Sequence, residues 1–188
     1  MKVSPRVKLL LIVAIFVLPI LGSYVAYFFL AHPKPTANHG ELLLPPAQAS
    51  EAAFPRASGG APFSFRELRG RWILVATDGG DCAAACRDKL ATMRQVRLAL
   101  GRNASRVGRV FVVDDGREPD GKALEPFPGM EVVQAPRGAG LTPQAAGDRA
   151  HVYLVDPNGN VMMRWRVADD PKGMLRDLER LLRASQIG

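Results

Sequence analysis

The chain has 188 residues, 47% of them apolar, and a formal net charge of +7. That length suits one folded domain plus an appendage, and the composition is ordinary for a packed core. Lys2, Arg6 and Lys8 lie in a tail without acidic residues and supply three of the seven net charges, so the remaining excess is modest and calls for no nucleic-acid partner.

Residues 9–30 carry no charge and are almost entirely apolar. About 20 such residues cross a hydrocarbon core about 30 Å thick. A cleaved signal would have a shorter apolar core, about 7–15 residues, followed by a small-residue cleavage site. Here the exit reads Phe28-Phe29-Leu30-Ala31-His32-Pro33, which predicts an uncleaved anchor. The expected organisation is a cytoplasmic tail over residues 1–8 and a transmembrane helix over 9–31. The basic tail orients the span with its N-terminus inside and the rest of the chain in the periplasm of a bacterium, on the inner membrane.

Residues 32–62 read as a Pro-rich periplasmic linker, punctuated by Pro33, Pro35, Pro45, Pro46, Pro55 and Pro62. Glu41-Leu42-Leu43-Leu44 is too apolar for a plain spacer and reads as an extra strand laid against the domain. The domain itself is expected over 63–188. Alternation across 63–68 and a turn at 69–71 predict a hairpin leading into a buried strand over 72–77.

A turn, Asp78-Gly79-Gly80-Asp81, then precedes Cys82 and Cys86, the only two cysteines. Cys86, Leu90, Met93, Val96 and Leu100 step by three or four, the apolar stripe of a helix ending near Gly101. Cysteines four apart at the mouth of that helix share one face. Free amides and the helix dipole favour thiolate there, the form that attacks disulfides and binds soft metals. In an oxidising compartment the pair rests as a disulfide unless something reduces it. The bland alternative is a structural disulfide or two buried thiols, although a staple closing so short a loop removes little chain entropy. Arg87, Lys89, Arg94, Arg97, Arg102, Arg106 and Arg109 follow the pair. They read as a solvated face, or as a docking patch for an acidic protein or anionic lipid.

Further on, 107–114 is a second buried strand and 115–149 a Gly- and Pro-rich excursion with a short edge strand near 130–133. Residues 151–156 form a third strand, Pro157-Asn158-Gly159 a hairpin turn, and 160–167 the returning strand. Asp170-Pro171 starts a last helix with one apolar face. Two βα units, an antiparallel hairpin and a covering helix make an α/β, thioredoxin-like domain: a central mixed sheet flanked by helices, tethered to one N-terminal transmembrane helix.

The strand-turn-Cys-x-x-x-Cys-helix and the later Tyr-Leu-Val-Asp-Pro-Asn-Gly-Asn-Val resemble the Sco/SenC family. Asn-His-Gly-Glu-Leu-Leu and Met-Met-Arg-Trp resemble small proteobacterial membrane-anchored Sco-like proteins. The resemblance implies a thioredoxin fold and a role in cytochrome c oxidase assembly, with oxidase subunit II or other assembly factors as partners. It implies copper delivery or thiol-disulfide exchange at Cys82 and Cys86, by a metallochaperone or an oxidoreductase. A non-catalytic docking protein with a structural disulfide is the alternative. The family carries a copper-binding histidine before the Tyr-Leu-Ile strand. Aligned through Tyr153 and Pro157, that place holds Asp148. His151 is the nearest histidine, standing where a thioredoxin keeps its cis-proline, and it is the candidate third copper ligand.

Overall fold

A computed structural model describes residues 4–30, 38–136, 139–166, 170–185 and 187. Contacts divide the chain into two units, Met1–Ala37 and Asn38–Gly188.

The first unit is helix α1, Pro5–Val25, continued by a π-helical turn at Ala26–Leu30. Pro5 stands at the helix start, where its missing N–H goes unneeded. The stretch Pro5–Phe28 has a mean hydropathy of 2.6 and is long and apolar enough to cross a membrane. At 1.5 Å per residue its helical length is about 36 Å.

The second unit is built on a six-stranded sheet. Its strands are β1 (Glu41–Gln48), β2 (Trp72–Asp78), β3 (Val107–Val113), β4 (Glu131–Gln134), β5 (His151–Val155) and β6 (Asn160–Arg166), in the order β1-β6-β5-β2-β3-β4. β2, β3 and β4 run parallel, while β5, β6 and β1 alternate antiparallel. The long helices are α2 (Ala84–Ala99) and α4 (Pro171–Ala184), and α3 (Gly121–Leu124) is a single turn. Gly101 closes α2 with a φ of 55°, a conformation that suits glycine. Asp170 caps α4, its carboxylate accepting from the Gly173 amide at 2.8 Å.

Side chains on a strand alternate between faces, and this sorts the core into two layers. Trp72, Leu74, Ala76, Val152, Leu154 and Met163 face the layer that holds α2 and α4. Ile73, Val75, Tyr153, Val155 and Val161 face the other layer, filled by Phe54, Phe63, Phe65 and Leu141. With both faces covered, β2 and β5 read as continuous apolar runs.

Three expectations change. The folded unit begins at Asn38 rather than 63, and the linker reading holds for none of residues 38–62. Within that span β1 pairs with β6 as a sheet edge, and the Pro45-Pro46 step falls in its bulge between Leu42 and Ala47, where a missing N–H is tolerated. The hairpin expected at 63–68 is absent. Phe63 instead bridges Phe54, and Phe65–Leu68 is a 3₁₀ turn. There Glu67 accepts from the Ser64 amide at 2.8 Å, a reciprocal cap that favours a helical turn over a strand. Residues 32–37 of the expected linker and Val167 of the expected strand lie outside the described residues.

Candidate functional site

β2 ends at Asp78, and the turn through Gly79, Gly80 and Asp81 delivers Cys82 two residues ahead of α2. Cys86 sits in the first turn of that helix. The two sulfurs form a disulfide, with Cα atoms 5.0 Å apart. Cys82 has a φ of 36°, the single positive value at a non-glycine among the described residues. Such backbone costs of order 1–3 kcal/mol and persists where its surroundings enforce it. Here its amide donates to Gly79 O at 3.1 Å, and Arg87 Nη1 donates to its carbonyl at 3.0 Å. The N-cap, Ala83, offers no side-chain acceptor. The first amides of α2 therefore remain available to stabilise a sulfur anion once the pair is reduced.

Both cysteines are buried, at 0% and 1% exposure, within the α2 layer of the core. The sequence placed the pair at the mouth of α2 as thiols able to attack disulfides and bind metals, and the structure adds that both sulfurs lie covered. Beside the pair, residues 115–120 lie as a strap over the glycine turn that leads into Cys82. Gly80 N donates to Asp115 Oδ1 at 3.1 Å, and Asp120 N donates to Gly80 O at 2.8 Å. Arg117 bridges the two segments, with Nε on Asp115 Oδ2 at 2.6 Å and Nη1 on Asp81 Oδ2 at 3.2 Å. A Cβ at Gly80 would meet Glu118 O at 2.7 Å, so only glycine lets the strap lie this close. Burial raises the Asp115 pKa, but hydrogen bonds from the Arg117 and Gly80 amides and from the Arg117 side chain outweigh it, and the carboxyl is held below its usual range.

Lys89 closes the site from below. It lies three residues beyond Cys86, on the same side of α2. Its ammonium, 3% exposed, donates to Thr77 O at 2.8 Å, Asp78 Oδ2 at 2.8 Å and Arg149 O at 2.7 Å. All three protons are used, and they tie together the end of β2, helix α2 and the segment entering β5. Arg149 in turn pairs with Asp114 at 2.5 Å. The expectation of a solvated basic face thus fails at Lys89, and also at Arg109, which is 5% exposed.

His151, the candidate third ligand, is not brought to the sulfurs. Val152 points into the layer that holds the cysteines, so the alternation of β5 turns His151 and Tyr153 toward the opposite face. His151 Nδ1 lies 2.8 Å from Asp148 Oδ2, which also accepts from the Tyr153 hydroxyl at 2.5 Å. Asp148 therefore serves this opposite-face network too. Burial raises its pKa, yet the bonds from Tyr153, the Ala150 amide and His151 outweigh this and hold it below the usual carboxylate range. Burial, then Asp148, pushes the Tyr153 hydroxyl up to about 12. Among the described residues no group of three or more His, Cys, Asp or Glu side chains is arranged to hold a metal ion. Cys82, Cys86 and His151 do not fit a three-ligand copper centre in this arrangement.

Known proteins agree with the fold. The chain is similar to the copper-bound crystal structure of ScoI from Arabidopsis thaliana, with 15% identity, a TM-score of 0.59, and coverage of 74% of this chain and 100% of that one. It is similar to BsSco, described as a Sco-family cytochrome c oxidase assembly protein with a disulfide switch, with 15% identity, a TM-score of 0.53, and coverage of 74% and 97%. It is also similar to a putative protein disulfide isomerase from Bacteroides thetaiotaomicron, with 13% identity, a TM-score of 0.54, and coverage of 72% and 88%. At these identities the likeness is one of fold. No curated protein matches the sequence. A family model described as "Transmembrane-like, thioredoxin-like, C-terminal domain" matches residues 72–185, more than half of the chain, and the protein belongs to that family.

Proposed function

We propose that this protein is a membrane-anchored periplasmic Sco-like factor that assists cytochrome c oxidase biogenesis by thiol-disulfide exchange at Cys82 and Cys86. The observation that carries the reading is the disulfide at the uncapped start of α2, with His151 turned to the other face of the sheet. The likeness to Sco structures, one of them from a cytochrome c oxidase assembly protein, supports the setting. The apolar helix supports the anchor. Partners in this reading are oxidase subunit II or other assembly factors at the inner membrane.

In the reduced pair, the Cys82 thiolate attacks one sulfur of a partner disulfide. That S–S bond breaks, a mixed disulfide forms, and one partner thiolate leaves. The Cys86 thiolate then attacks the Cys82 sulfur and expels the second partner thiolate. Two electrons pass from the pair to the partner, whose sulfurs take up two protons. An exported dithiol donor returns Cys82–Cys86 to the reduced state. Copper carriage is the second reading, supported by the copper-bound Sco likeness. Two thiolates accept Cu(I), but the missing third donor weighs against it.

The test is a Cys86→Ala variant expressed in cells that assemble the oxidase. Thiol exchange predicts a partner trapped on Cys82 as a mixed disulfide, and a loss of oxidase activity in a Cys82/Cys86 double mutant that added copper does not restore. Full activity of the double mutant would instead leave the docking role with a structural disulfide. Restoration by copper alone would favour carriage.

A further inference from the structure

Away from the cysteines, at the opposite end of β2 and β3, an arginine lies buried without a counter-charge. Arg109 stands on β3 opposite Leu74 and is 5% exposed. The neighbouring positions Val107 and Phe111 place its side chain in the α2 layer. Its Nη2 donates to the carbonyl of Pro128 at 2.6 Å. Nε and Nη1 are buried with no partner. Trp72 Nε1, on the adjacent strand and in the same layer, is a third buried donor without an acceptor. Arg97 reaches the same place from α2, its Nε donating to Val107 O at 2.7 Å, and Arg94 stands one turn before it, exposed. Among the described residues none of the three arginines pairs with a carboxylate. Burial and the charges of Arg97 and Arg94 hold the Arg109 guanidinium below its usual range.

Every unsatisfied group here is a donor, and every nearby charge is positive. Leaving a guanidinium unpaired in the interior is strongly destabilising, so a native structure that keeps one has a partner for it elsewhere. We infer that Arg109, Arg97 and Arg94 form an oxyanion site for a phosphate group, with Arg109 as its inner ligand. A phosphate presents several acceptor oxygens to the three arginines, either as a free ion carrying nearly two charges or as a singly charged lipid phosphodiester. Arg94, exposed, is the solvent-facing member of the three. The anion displaces the Pro128 carbonyl, a neutral acceptor that a charged one outcompetes. The phosphate is either a free ion or the headgroup of an anionic lipid.

The test is thermal unfolding of the full-length protein followed by tryptophan fluorescence. One arm uses maltoside micelles with inorganic phosphate against sodium chloride of equal ionic strength. A second uses nanodiscs of phosphatidylglycerol and phosphatidylcholine against phosphatidylcholine alone. Arg109→Met removes the inner ligand, and because it also removes a buried unpaired charge, it should be no less stable than wild type without anion. Arg94→Ala, at an exposed position, keeps the fold and weakens entry. A rise of several degrees with phosphate, lost in Arg109→Met and reduced in Arg94→Ala, supports the free ion. A rise confined to phosphatidylglycerol discs, with the same losses, supports the lipid. No rise in either arm, or a rise that survives Arg109→Met, overturns the site.

Discussion

Lys89→Met is the sharpest test of how the site is held. Methionine keeps the volume of the stem and removes three hydrogen bonds. Thr77 O and Arg149 O lose their donor, and Asp78 loses the cation at 2.8 Å. Asp78 keeps the Gly79 amide at 2.9 Å, has Arg149 at 3.9 Å and is 17% exposed, so its charge is not left wholly bare. Breaking one side of a buried pair costs about 3–5 kcal/mol, and these residual partners put the loss near the lower bound, about 3 kcal/mol. With a urea slope of about 1–3 kcal/mol/M, the unfolding midpoint should fall by about 1–3 M. The assay is urea unfolding of the full chain in micelles, read from Trp72 and Trp165, the only two tryptophans and each 5% exposed. Asp78→Leu combined with Lys89→Met should recover part of the loss, because no charge is then stranded. A midpoint for Lys89→Met equal to that of wild type would refute the clasp.

The strap predicts that Arg117→Ala speeds reduction of Cys82–Cys86 by a small dithiol several-fold. Its ion pairs are exposed, so salt should speed the wild type and leave the variant unaffected; equal rates at low salt would acquit the strap. Tyr153, raised to about 12, should contribute stability that is full below pH about 10 and lost as pH climbs toward 12, a component that Tyr153→Phe abolishes in pH-dependent urea unfolding. Asp148, held low, should contribute stability that is present above pH about 4 and lost as pH falls through its native value, and Asp148→Asn should flatten that acid limb. Gly40→Ala would drive a Cβ into the Trp165 indole, so it should destabilise by about 1–3 kcal/mol in the same titration, whereas a neutral result would mean the chain entry at His39 is not socketed.

The elements of this fold were legible where a period was long or a cap explicit. The stripe from Cys86 to Leu100 gave α2, and Asp170-Pro171 gave the start of α4, because each local preference agrees with the packing. The 3₁₀ turn at Phe65–Leu68 was legible too, since Ser64 and Glu67 have the spacing of a capping box, yet the period-two alternation around them suggested a strand. β1 was half visible in its leucines. Its prolines argued for linker, and only the bulge that absorbs them reconciles the two. Lys89 and Arg109 looked like surface charge because a lone basic residue carries no sign of depth. Their burial comes from partners at Arg149 and Pro128, contributed by loops that periodicity does not reach.

The cysteine spacing placed both sulfurs at the start of α2, but it carried no sign of their burial or of the contact made 35 residues away in sequence, where Asp115 accepts from Gly80. The same distance limits the copper reading. Asp148, the position the sequence reading aligned with the family's histidine, and His151, whose place on β5 turns it away from the cysteine layer, both join a network across the sheet. The proposed thiol exchange needs no third donor, and the reduction rate of Arg117→Ala decides whether the strap limits access to the pair.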